Sequence, residues 1–333
     1  MNSIGCFLTE FEKKLTALRS FVNKRIQSVF EHKEPATLYE PIKYIIEGGG
    51  KRLRPVLLLL SSESVGGKVE DCLDAAVAVE MLHNFTLIHD DVMDHDDIRR
   101  GRETVHKKWD VNVAILSGDG LVALSYWHLM NCDHPRIARI GRLFSDALRE
   151  LCEGQALDKE FEGRWDVTID EYFTMIRKKT AVLISLCTQI GGIFGNGTAE
   201  QIRSLRDYGL NMGLAFQIQD DLLDVMADEK VLGKDWGSDI MQRKKTFLLI
   251  HALEVGGPEI RKEIYKILDQ PEIKPQDIIR VLELFKETDM LKAAEKRIRF
   301  HIQLARNSLL TLPETEGRRN LEEFLQLVSH RNY

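Results

Sequence analysis

The chain has 333 residues, of which 44% are hydrophobic and 29% charged, a balance that excludes a disordered chain and an integral membrane protein. Its formal net charge of −6 argues against a nucleic-acid partner, because a phosphate backbone requires a strongly basic surface. The five cysteines are far apart and form no Cys-x-x-Cys pair, so neither a disulfide framework nor a zinc ribbon is predicted.

The N-terminal segment is predicted to be an amphipathic helix, because its apolar residues recur every three or four positions. These residues are Phe7, Phe11, Leu15, Leu18, Val22 and Ile26. No basic stretch followed by an apolar run precedes them, and the longest apolar runs of the chain are shorter than a membrane span. We therefore expect no signal sequence, no membrane span and a cytoplasmic protein.

Helical spacing continues along almost the whole chain, and positions 136 to 257 contain no proline, as long helices require. Strand-like alternation is hard to find. Glycine-rich stretches are predicted to connect helices; they lie at 48–50, 66–67, 191–192, 195–197 and 256–258. We predict an all-α fold with one domain over residues 1–333, a motif-bearing core at about 38–246 and further amphipathic helices at about 247–333.

The first motif is a glycine-rich turn at residues 48–55 that presents the cations of Lys51, Arg52 and Arg54. It is not a P-loop, because that pattern needs a glycine where Ile45 stands and a serine or threonine where Arg52 stands. We expect this turn to bind phosphate oxygens.

The second motif is an aspartate triad that ends an apolar helical run beginning at His83. Its members are Asp90, Asp91 and Asp94, and on a helix Asp90 and Asp94 share one face. Their like charges repel, so a cation is expected there. Carboxylates suit Mg²⁺, which takes one or two of them together with waters and substrate phosphates.

A second triad, Asp220, Asp221 and Asp224, repeats this spacing after another apolar helical run that contains Gln217. One such triad is weak evidence for a metal site, because aspartates are frequent in this chain. Two triads, each at the end of an apolar run, are far less expected by chance and predict a magnesium-dependent site.

Basic residues accompany both triads in sequence. Arg99 and Arg100 follow the first triad, and the second is flanked by Lys178, Lys179, Lys234, Lys244 and Lys245, with Thr180 directly after Lys179. A protein that holds diphosphates and several Mg²⁺ ions needs such cations to balance the phosphate charges. The sequence therefore favours an enzyme that binds and ionises an organic diphosphate.

Together, the glycine-rich turn, both triads, Arg99-Arg100-Gly101 and the stretch Gly233-Lys234 to Gly237-Ser238-Asp239 resemble the trans-isoprenyl diphosphate synthase family. These are the head-to-tail prenyltransferases that make geranylgeranyl and farnesyl diphosphates. The resemblance runs from about Leu38 to Thr246. It implies a helical bundle around a deep central cavity, a homodimer, several Mg²⁺ ions per site, and isopentenyl and allylic diphosphates as substrates.

The resemblance also implies roles for single residues. Mg²⁺ would be ligated by Asp90, Asp94 and Asp220, supported by Asp91, Asp221 and Asp224. The allylic diphosphate would be held by Arg99, Lys179 and Lys234, and isopentenyl diphosphate by Lys51, Arg54, His83 and Arg100. Thr180 and Gln217 would stand near the developing carbocation, with Lys244 as a further basic contact.

This chemistry needs no dedicated protein base. Mg²⁺ and fixed cations stabilise the leaving diphosphate as charge grows in the transition state. The isopentenyl double bond then attacks the allylic cation, and the proton is lost to the released diphosphate. The apolar runs before each triad supply a dry pocket for the cation.

Three positions bear on the product and on the match to the family. Glu103 stands where the family commonly has proline, and only two residues separate Asp91 from Asp94, which resembles archaeal-type geranylgeranyl synthases. Phe85 lies five positions before Asp90, where the family commonly limits the growing chain. A C20 or C15 product is therefore expected.

Four alternative functions fit the sequence less well. A class I terpene cyclase shares the fold but usually mixes Asn, Ser or Thr, and Glu in its second metal motif. A helical metal-dependent phosphohydrolase relies on several histidines, and only His83 and His89 closely precede Asp90. A non-catalytic regulatory subunit of a prenyl synthase would be expected to lack carboxylates or basic clamps. Calcium binding of the EF-hand type is excluded, because His95 stands where its loop needs glycine.

Overall fold

The computed structural model describes residues 9–31, 33–226 and 237–329. The helices, in chain order, are α1 (Glu10–Val29), α2 (Ala36–Glu47), α3 (Leu53–Ser64), α4 (Leu73–Met93), α5 (Val105–Lys108), α6 (Val111–Met130), α7 (Ile137–Glu162), α8 (Ile169–Ile176), α9 (Val182–Phe194), α10 (Ala199–Met226), α11 (Ser238–Met241), α12 (Phe247–Val255), α13 (Gly257–Leu268), α14 (Pro275–Glu287), α15 (Met290–Leu309) and α16 (Glu316–Ser329). A 3₁₀ turn, Glu70–Cys72, precedes α4, and a π-helical turn, Arg177–Ala181, joins α8 to α9. The predicted all-α fold is confirmed.

Two short strands, β1 (Ile98–Arg99) and β2 (Arg102–Glu103), form an antiparallel hairpin that the sequence analysis did not predict. They are the only strands within the described ranges. Each contributes two residues, too few to show the alternating pattern by which strands are predicted.

The chain divides into two compact units, each assembled from discontinuous stretches. Unit 1 consists of Met1–Phe144, Cys187–Leu205 and Thr311–Glu323, and unit 2 of Ser145–Leu186, Arg206–Leu310 and Phe324–Tyr333. The single domain and the deep central cavity stay predictions.

Unit 1 is centred on α4, which packs against α1, α3 and α6. Every residue of α4 from Ala75 to Leu82 is buried, because a helix that is apolar on all sides requires partners around it. The predicted apolar face of α1 is confirmed, since Phe11, Leu15, Leu18, Val22 and Ile26 are all buried. Phe7, the first residue of that pattern, lies outside the described residues.

Unit 2 contains most of the long helices α7 and α10. It also contains the C-terminal helices α12 to α15, which pack on one another. The buried face of α14 is formed by Ile278, Val281, Leu284 and Phe285. α7, α8, α9 and α10 lie within the proline-free region, as the sequence predicted.

One predicted helix connection is wrong. Gly191 and Gly192 lie inside α9, where a Cβ atom on Gly191 would approach the carbonyl oxygen of Leu58 to 2.2 Å. The glycine is therefore needed for close packing of α9 on α3, and not for a turn. The glycines at 48–50, 66–67, 195–197 and 256–257 do lie between or at the ends of helices, as predicted.

Among the described helices, only α6 is long and apolar enough to cross a membrane by length and composition. This differs from the expectation that every apolar run would be too short. In its most apolar window 39% of the residues are buried, and a core helix can pass the same test. Residues of α6 pack against α2, α4 and α5 in unit 1.

Candidate active site

The glycine-rich turn between α2 and α3 depends on backbone conformations that most side chains avoid. Gly49 and Gly50 have φ angles of 82° and 135°, and Arg52 has a φ of 46°. Glycine adopts such angles without steric cost, whereas a residue with a Cβ atom does so only when its surroundings hold it there. The turn leaves Lys51 exposed and places Arg54 in the first turn of α3.

Arg52, which the sequence grouped with Lys51 and Arg54, differs from them because it is buried. Its guanidinium is buried and donates to Glu80 Oε1 at 2.6 Å, to the Ile46 carbonyl at 2.7 Å and to Asn23 Oδ1 at 2.9 Å. These bonds satisfy the charge inside the protein. Arg52 therefore stabilises the turn from the interior of the protein.

The hairpin after the first triad aims two arginines in different directions. Arg100 and Gly101, its two turn residues, have φ angles of 53° and 73°, as a tight hairpin turn requires. Arg99 Nε donates to Asp91 Oδ1, and Arg100 Nη1 donates to the Gly49 carbonyl. Glu103, the departure from the family pattern, accepts a bond from the Tyr44 hydroxyl at its carbonyl oxygen.

The Arg100 guanidinium lies directly against Gly50. A Cβ atom on Gly50 would lie 2.9 to 3.0 Å from three guanidinium atoms of Arg100. Any side chain at position 50 would therefore displace this cation. The structure thus brings the glycine-rich turn and the hairpin together.

His83 lies among these cations in its neutral form. Arg54 Nη1 is 3.1 Å from His83 Nε2, and since a guanidinium only donates, Nε2 is the acceptor and Nδ1 carries the proton. Burial, followed by the charges of Arg54 and Arg100, lowers the pKa of His83 well below its usual value. The predicted residues Arg54, His83 and Arg100 are therefore one cationic cluster, which favours an anionic ligand.

The first aspartate triad occupies the C-terminal end of α4, with Asp94 as its C-cap residue. Asp90 and Asp94 are half-buried, one turn apart. Because the C-terminal end of a helix is its negative end, these carboxylates need a cation more than they would elsewhere. Phe85, on the same helix, packs edge-on against the His89 ring with centroids 4.7 Å apart.

Asp91 is the buried member of this triad, with 1% of its surface exposed. Burial raises its pKa to about 6, although the charge of Arg99 opposes that shift. Its second oxygen, Oδ2, is buried and has no hydrogen-bond partner among the described residues. An orphaned carboxylate oxygen beside two further carboxylates is a position that a cation or its bound water would satisfy.

The second triad, at the end of α10, differs in exposure from residue to residue. Asp220 is exposed, Asp224 is half-buried and Asp221 is buried. Asp224 accepts bonds from Ser238 Oγ at 2.9 Å and from the backbone N–H of Asp239 at 3.2 Å. Burial raises the pKa of Asp224, opposed by these hydrogen bonds.

The π-helical turn places Lys179 and Thr180 beside α7 and α10. Lys179 Nζ donates to Asp158 Oδ2 at 2.5 Å, and Thr180 Oγ1 donates to Gln217 Oε1 at 2.7 Å. Such single π turns occur often at functional sites. Thr180 and Gln217, predicted together from the sequence, are in direct contact.

Two glycines make this position possible. A Cβ atom on Gly154 would lie 2.3 Å from the Lys179 nitrogen, and one on Gly213 would lie 2.6 Å from Ala181 Cα. Both distances are shorter than any side chain tolerates. The π turn can therefore approach α7 and α10 only because both helices carry glycine there.

The remaining predicted cations differ in how far the structure describes them. Lys244 Nζ lies 3.8 Å from Asp239 Oδ1, whose pKa is raised well above its usual value by burial and by the Asp224 charge. Lys234 lies outside the described residues.

The donor set fits Mg²⁺ held jointly with a substrate. Among the described residues, no group of three His, Cys, Asp or Glu side chains could hold a metal ion by itself. Mg²⁺ usually takes one or two carboxylates together with waters and substrate phosphates, so a protein-only cage is not required. The paired Asp90 and Asp94 and the orphaned oxygen of Asp91 supply suitable donors.

Four residues that hold the predicted ones in place were not predicted from the sequence. These are Glu80, Asp158, Tyr172 and Ser238. Glu80 is 28 positions from Arg52, and Asp158 is 21 positions from Lys179, so no local spacing connects them. Ser238 did belong to a quoted motif, but its contact with Asp224 required the structure.

Comparisons with known proteins agree with these observations. The family description "Polyprenyl synthetase" matches residues 35–285. The short chain isoprenyl diphosphate synthase of Methanothermobacter thermautotrophicus is 40% identical over 93% of this chain and 95% of its own length. The geranylfarnesyl diphosphate synthase of Natronomonas pharaonis is 35% identical over 97% and 98%. The solved geranylgeranyl pyrophosphate synthetase of Pyrococcus horikoshii superposes with a TM-score of 0.92 at 37% identity, covering 97% of this chain and 99% of that one.

Proposed function

This chain belongs to the polyprenyl synthetase family, and on that premise we propose that it is a short-chain trans-prenyl diphosphate synthase. It condenses isopentenyl diphosphate with an allylic diphosphate by ionisation, condensation and elimination. The observation that carries this proposal is the cationic cluster of Arg54, neutral His83 and Arg100 on the same unit as the first aspartate triad. A diphosphate supplies the negative charge that this cluster lacks.

In this proposal the cationic cluster, with exposed Lys51, binds isopentenyl diphosphate. Neutral His83 contributes one N–H donor without adding a charge that Arg54 and Arg100 would repel. The allylic diphosphate is held by Arg99, Lys179, Lys234 and Lys244. In the described structure Lys179 is paired with Asp158, so binding a phosphate would exchange or share that partner.

The carboxylates that hold Mg²⁺ are Asp90, Asp94 and Asp220, with Asp91 and Asp224 in support. Bound there, Mg²⁺ stabilises the negative charge that grows on the leaving diphosphate. Thr180 and Gln217 stand near the allylic cation, and the proton leaves to the released diphosphate. Water is excluded by the apolar helices that precede each triad.

The proposed product is geranylgeranyl diphosphate, C20, with farnesyl diphosphate, C15, as the shorter candidate. The Pyrococcus horikoshii protein is named for a C20 product and the Natronomonas pharaonis protein for a C25 product. Phe85 is the residue proposed to set the limit in this chain. Its ring packs edge-on against His89 on α4, a contact that restrains the position of the ring.

We also propose a cytoplasmic homodimer. The solvent side of α6 carries exposed Val111, Ile115, Leu116, Trp127 and Met130. A row of large apolar side chains along one helix is costly in water unless a partner covers it. A second copy of this chain is the proposed partner.

The deciding experiment incubates purified protein with Mg²⁺, labelled isopentenyl diphosphate and, separately, dimethylallyl, geranyl or farnesyl diphosphate. The products are dephosphorylated and sized. Linear C20 or C15 alcohols support the proposal. Cyclic hydrocarbon would instead indicate a terpene cyclase, free diphosphate without condensation a hydrolase, and no reaction a regulatory subunit.

Metal dependence is tested with Asp90→Ala and Asp220→Ala, which should each lower turnover by about three orders of magnitude or more. Asp269→Ala, at the exposed end of α13, is the matched control and should leave turnover unchanged. Retained activity in both triad variants would refute the metal assignment.

A further inference from the structure

Asp221 is the buried member of the second triad. It is 5% exposed. Its Oδ1 accepts from Gln217 Nε2 at 2.9 Å, and its Oδ2 accepts from the Tyr172 hydroxyl at 2.7 Å and from the backbone N–H of Phe247 at 3.4 Å. Both oxygens therefore have protein donors, unlike the orphaned oxygen of Asp91.

These bonds fix the direction of the Gln217 amide. A carboxylate only accepts hydrogen bonds, so the side of Gln217 that faces Asp221 must be its NH₂ group. The carbonyl oxygen then faces the opposite way and accepts the Thr180 hydroxyl at 2.7 Å. The orientation follows from the chemistry of Asp221, since the two ends of an amide have nearly the same shape.

The network is held by three elements of unit 2 besides the π turn. Tyr172, fully buried, comes from α8, Gln217 and Asp221 lie one turn apart on α10, and the Phe247 nitrogen opens α12. Together these hydrogen bonds restrain both oxygens of the Asp221 carboxylate and both ends of the Gln217 amide. A fully satisfied buried network of this kind is rigid.

We propose that Asp221 and Tyr172 are positioning residues that fix the polarity of Gln217, and that Asp221 is not a ligand of Mg²⁺. This inference rests on the proposed function, in which Thr180 and Gln217 stand near the allylic cation. A carbonyl oxygen directed toward that region carries the partial negative charge that stabilises a cation. A reversed amide would present N–H groups with partial positive charge and would oppose ionisation.

The key variant is Asp221→Asn. Tyr172 and the Phe247 nitrogen both donate, so they select the carbonyl oxygen of the new amide. Its NH₂ group then faces the NH₂ group of Gln217, and Gln217 must reverse to avoid two donors in contact. We expect kcat to fall on the order of 10²-fold, with an unchanged Mg²⁺ concentration for half-maximal rate.

The double variant Asp221→Asn with Gln217→Glu restores the match, because the glutamate accepts from the new NH₂ group and again offers an oxygen to Thr180. We expect it to recover at least about tenfold of the kcat lost by Asp221→Asn. Rescue by moving the carboxylate from position 221 to position 217 would not follow from a loss of protein stability alone.

Tyr172→Phe removes one donor from Asp221 and should lower kcat by about tenfold, with little change in KM for either substrate. Tyr265→Phe is the matched control, because the Tyr265 ring packs on Trp165 in the same unit. It should leave both constants unchanged. Thermal unfolding of every variant shows whether it is folded.

Two results would overturn the inference. One is a raised Mg²⁺ requirement in Asp221→Asn with no rescue by Gln217→Glu, which would make Asp221 a metal ligand. The other is wild-type kcat in a folded Tyr172→Phe protein. Failure of the wild type to condense the substrates would instead refute the proposed function, so the two failures are distinguishable.

Discussion

The glycine-rich turn depends on a buried ion pair between Arg52 and Glu80. Arg52 is 6% exposed and Glu80 is 2% exposed, and Arg52 also donates to Asn23 and to the Ile46 carbonyl. Asn84 Nδ2 donates to the Glu80 carbonyl at 2.7 Å and to Glu80 Oε1 at 3.3 Å. Removing one charge would leave the other buried without compensation, which costs far more than the pair contributes.

We predict that Arg52→Ala lowers the free energy of unfolding by about 3 to 5 kcal/mol and raises KM for isopentenyl diphosphate, because the turn that carries Lys51 loses its support. Urea denaturation and steady-state kinetics measure the two effects. Lys14→Ala is the control, since its ion pair with Glu63 is partly exposed and should be worth less than about 1 kcal/mol. Equal losses in the two variants would contradict this account.

Phe85 carries the prediction for product length. Replacing its benzyl side chain by a methyl group in Phe85→Ala opens space on α4 five positions before Asp90. We expect the main product to lengthen by at least one five-carbon unit. Product sizing measures this, with Phe300→Ala as control because that ring is 52% exposed on α15. An unchanged product length in Phe85→Ala would assign Phe85 to ordinary packing.

At the residue scale, the sequence predicted the features that depend on the spacing of residues within one helix. The i, i+1, i+4 pattern correctly placed Asp90 and Asp94 one turn apart at a helix end. It could not show that Asp91 and Asp221 turn inward, because their donors Arg99 and Tyr172 belong to other elements. For the same reason Arg52 was grouped with Lys51 and Arg54, although burial against Glu80 separates them.

The π-helical turn is the element on which the Thr180 and Gln217 contact depends. Gly213→Ala would place a Cβ atom 2.6 Å from Ala181 Cα, which is backbone and cannot rotate away. We predict a loss of about 1 to 3 kcal/mol in unfolding free energy and a fall in kcat as Thr180 moves from Gln217. Gly163→Ala is the control, because its nearest atom would be 3.9 Å away. Wild-type kcat in Gly213→Ala would refute the dependence.

At the element scale, sequence patterns predicted long helices well and interruptions poorly. The buried face of α1 follows its 3.6-residue period. Gly191 and Gly192 look like a turn in the sequence, yet they serve close packing inside α9. The hairpin around Arg100 and Gly101 was not predicted, because its two-residue strands are too short to show an alternating pattern. The π turn was not predicted, because it differs from the helices on either side only in its hydrogen bonds.

For the whole molecule, the apolar face of α6 needs a partner, and two different partners are conceivable. A bilayer suits length and composition. However, Asn112 and Asp119 are exposed on the same helix as the apolar residues, and a charge within a membrane span is costly. A protein–protein interface tolerates such polar groups at its rim. This favours a second copy of this chain, and not a bilayer, as the partner of the α6 face.

We therefore predict that the protein sediments as a dimer of the 38.2 kDa chain, and that Trp127→Glu converts it to monomer. Trp127 is 58% exposed, and a stable dimer must bury about 800 Å² on each partner. Replacing this large ring by glutamate removes a large apolar contact and leaves a desolvated carboxylate in the interface. Val255→Glu, at a residue 55% exposed on α12, is the control and should stay dimeric. A monomeric wild type that floats with lipid vesicles would show that the α6 face binds membrane. A monomeric wild type that does not bind vesicles would refute the proposed dimer.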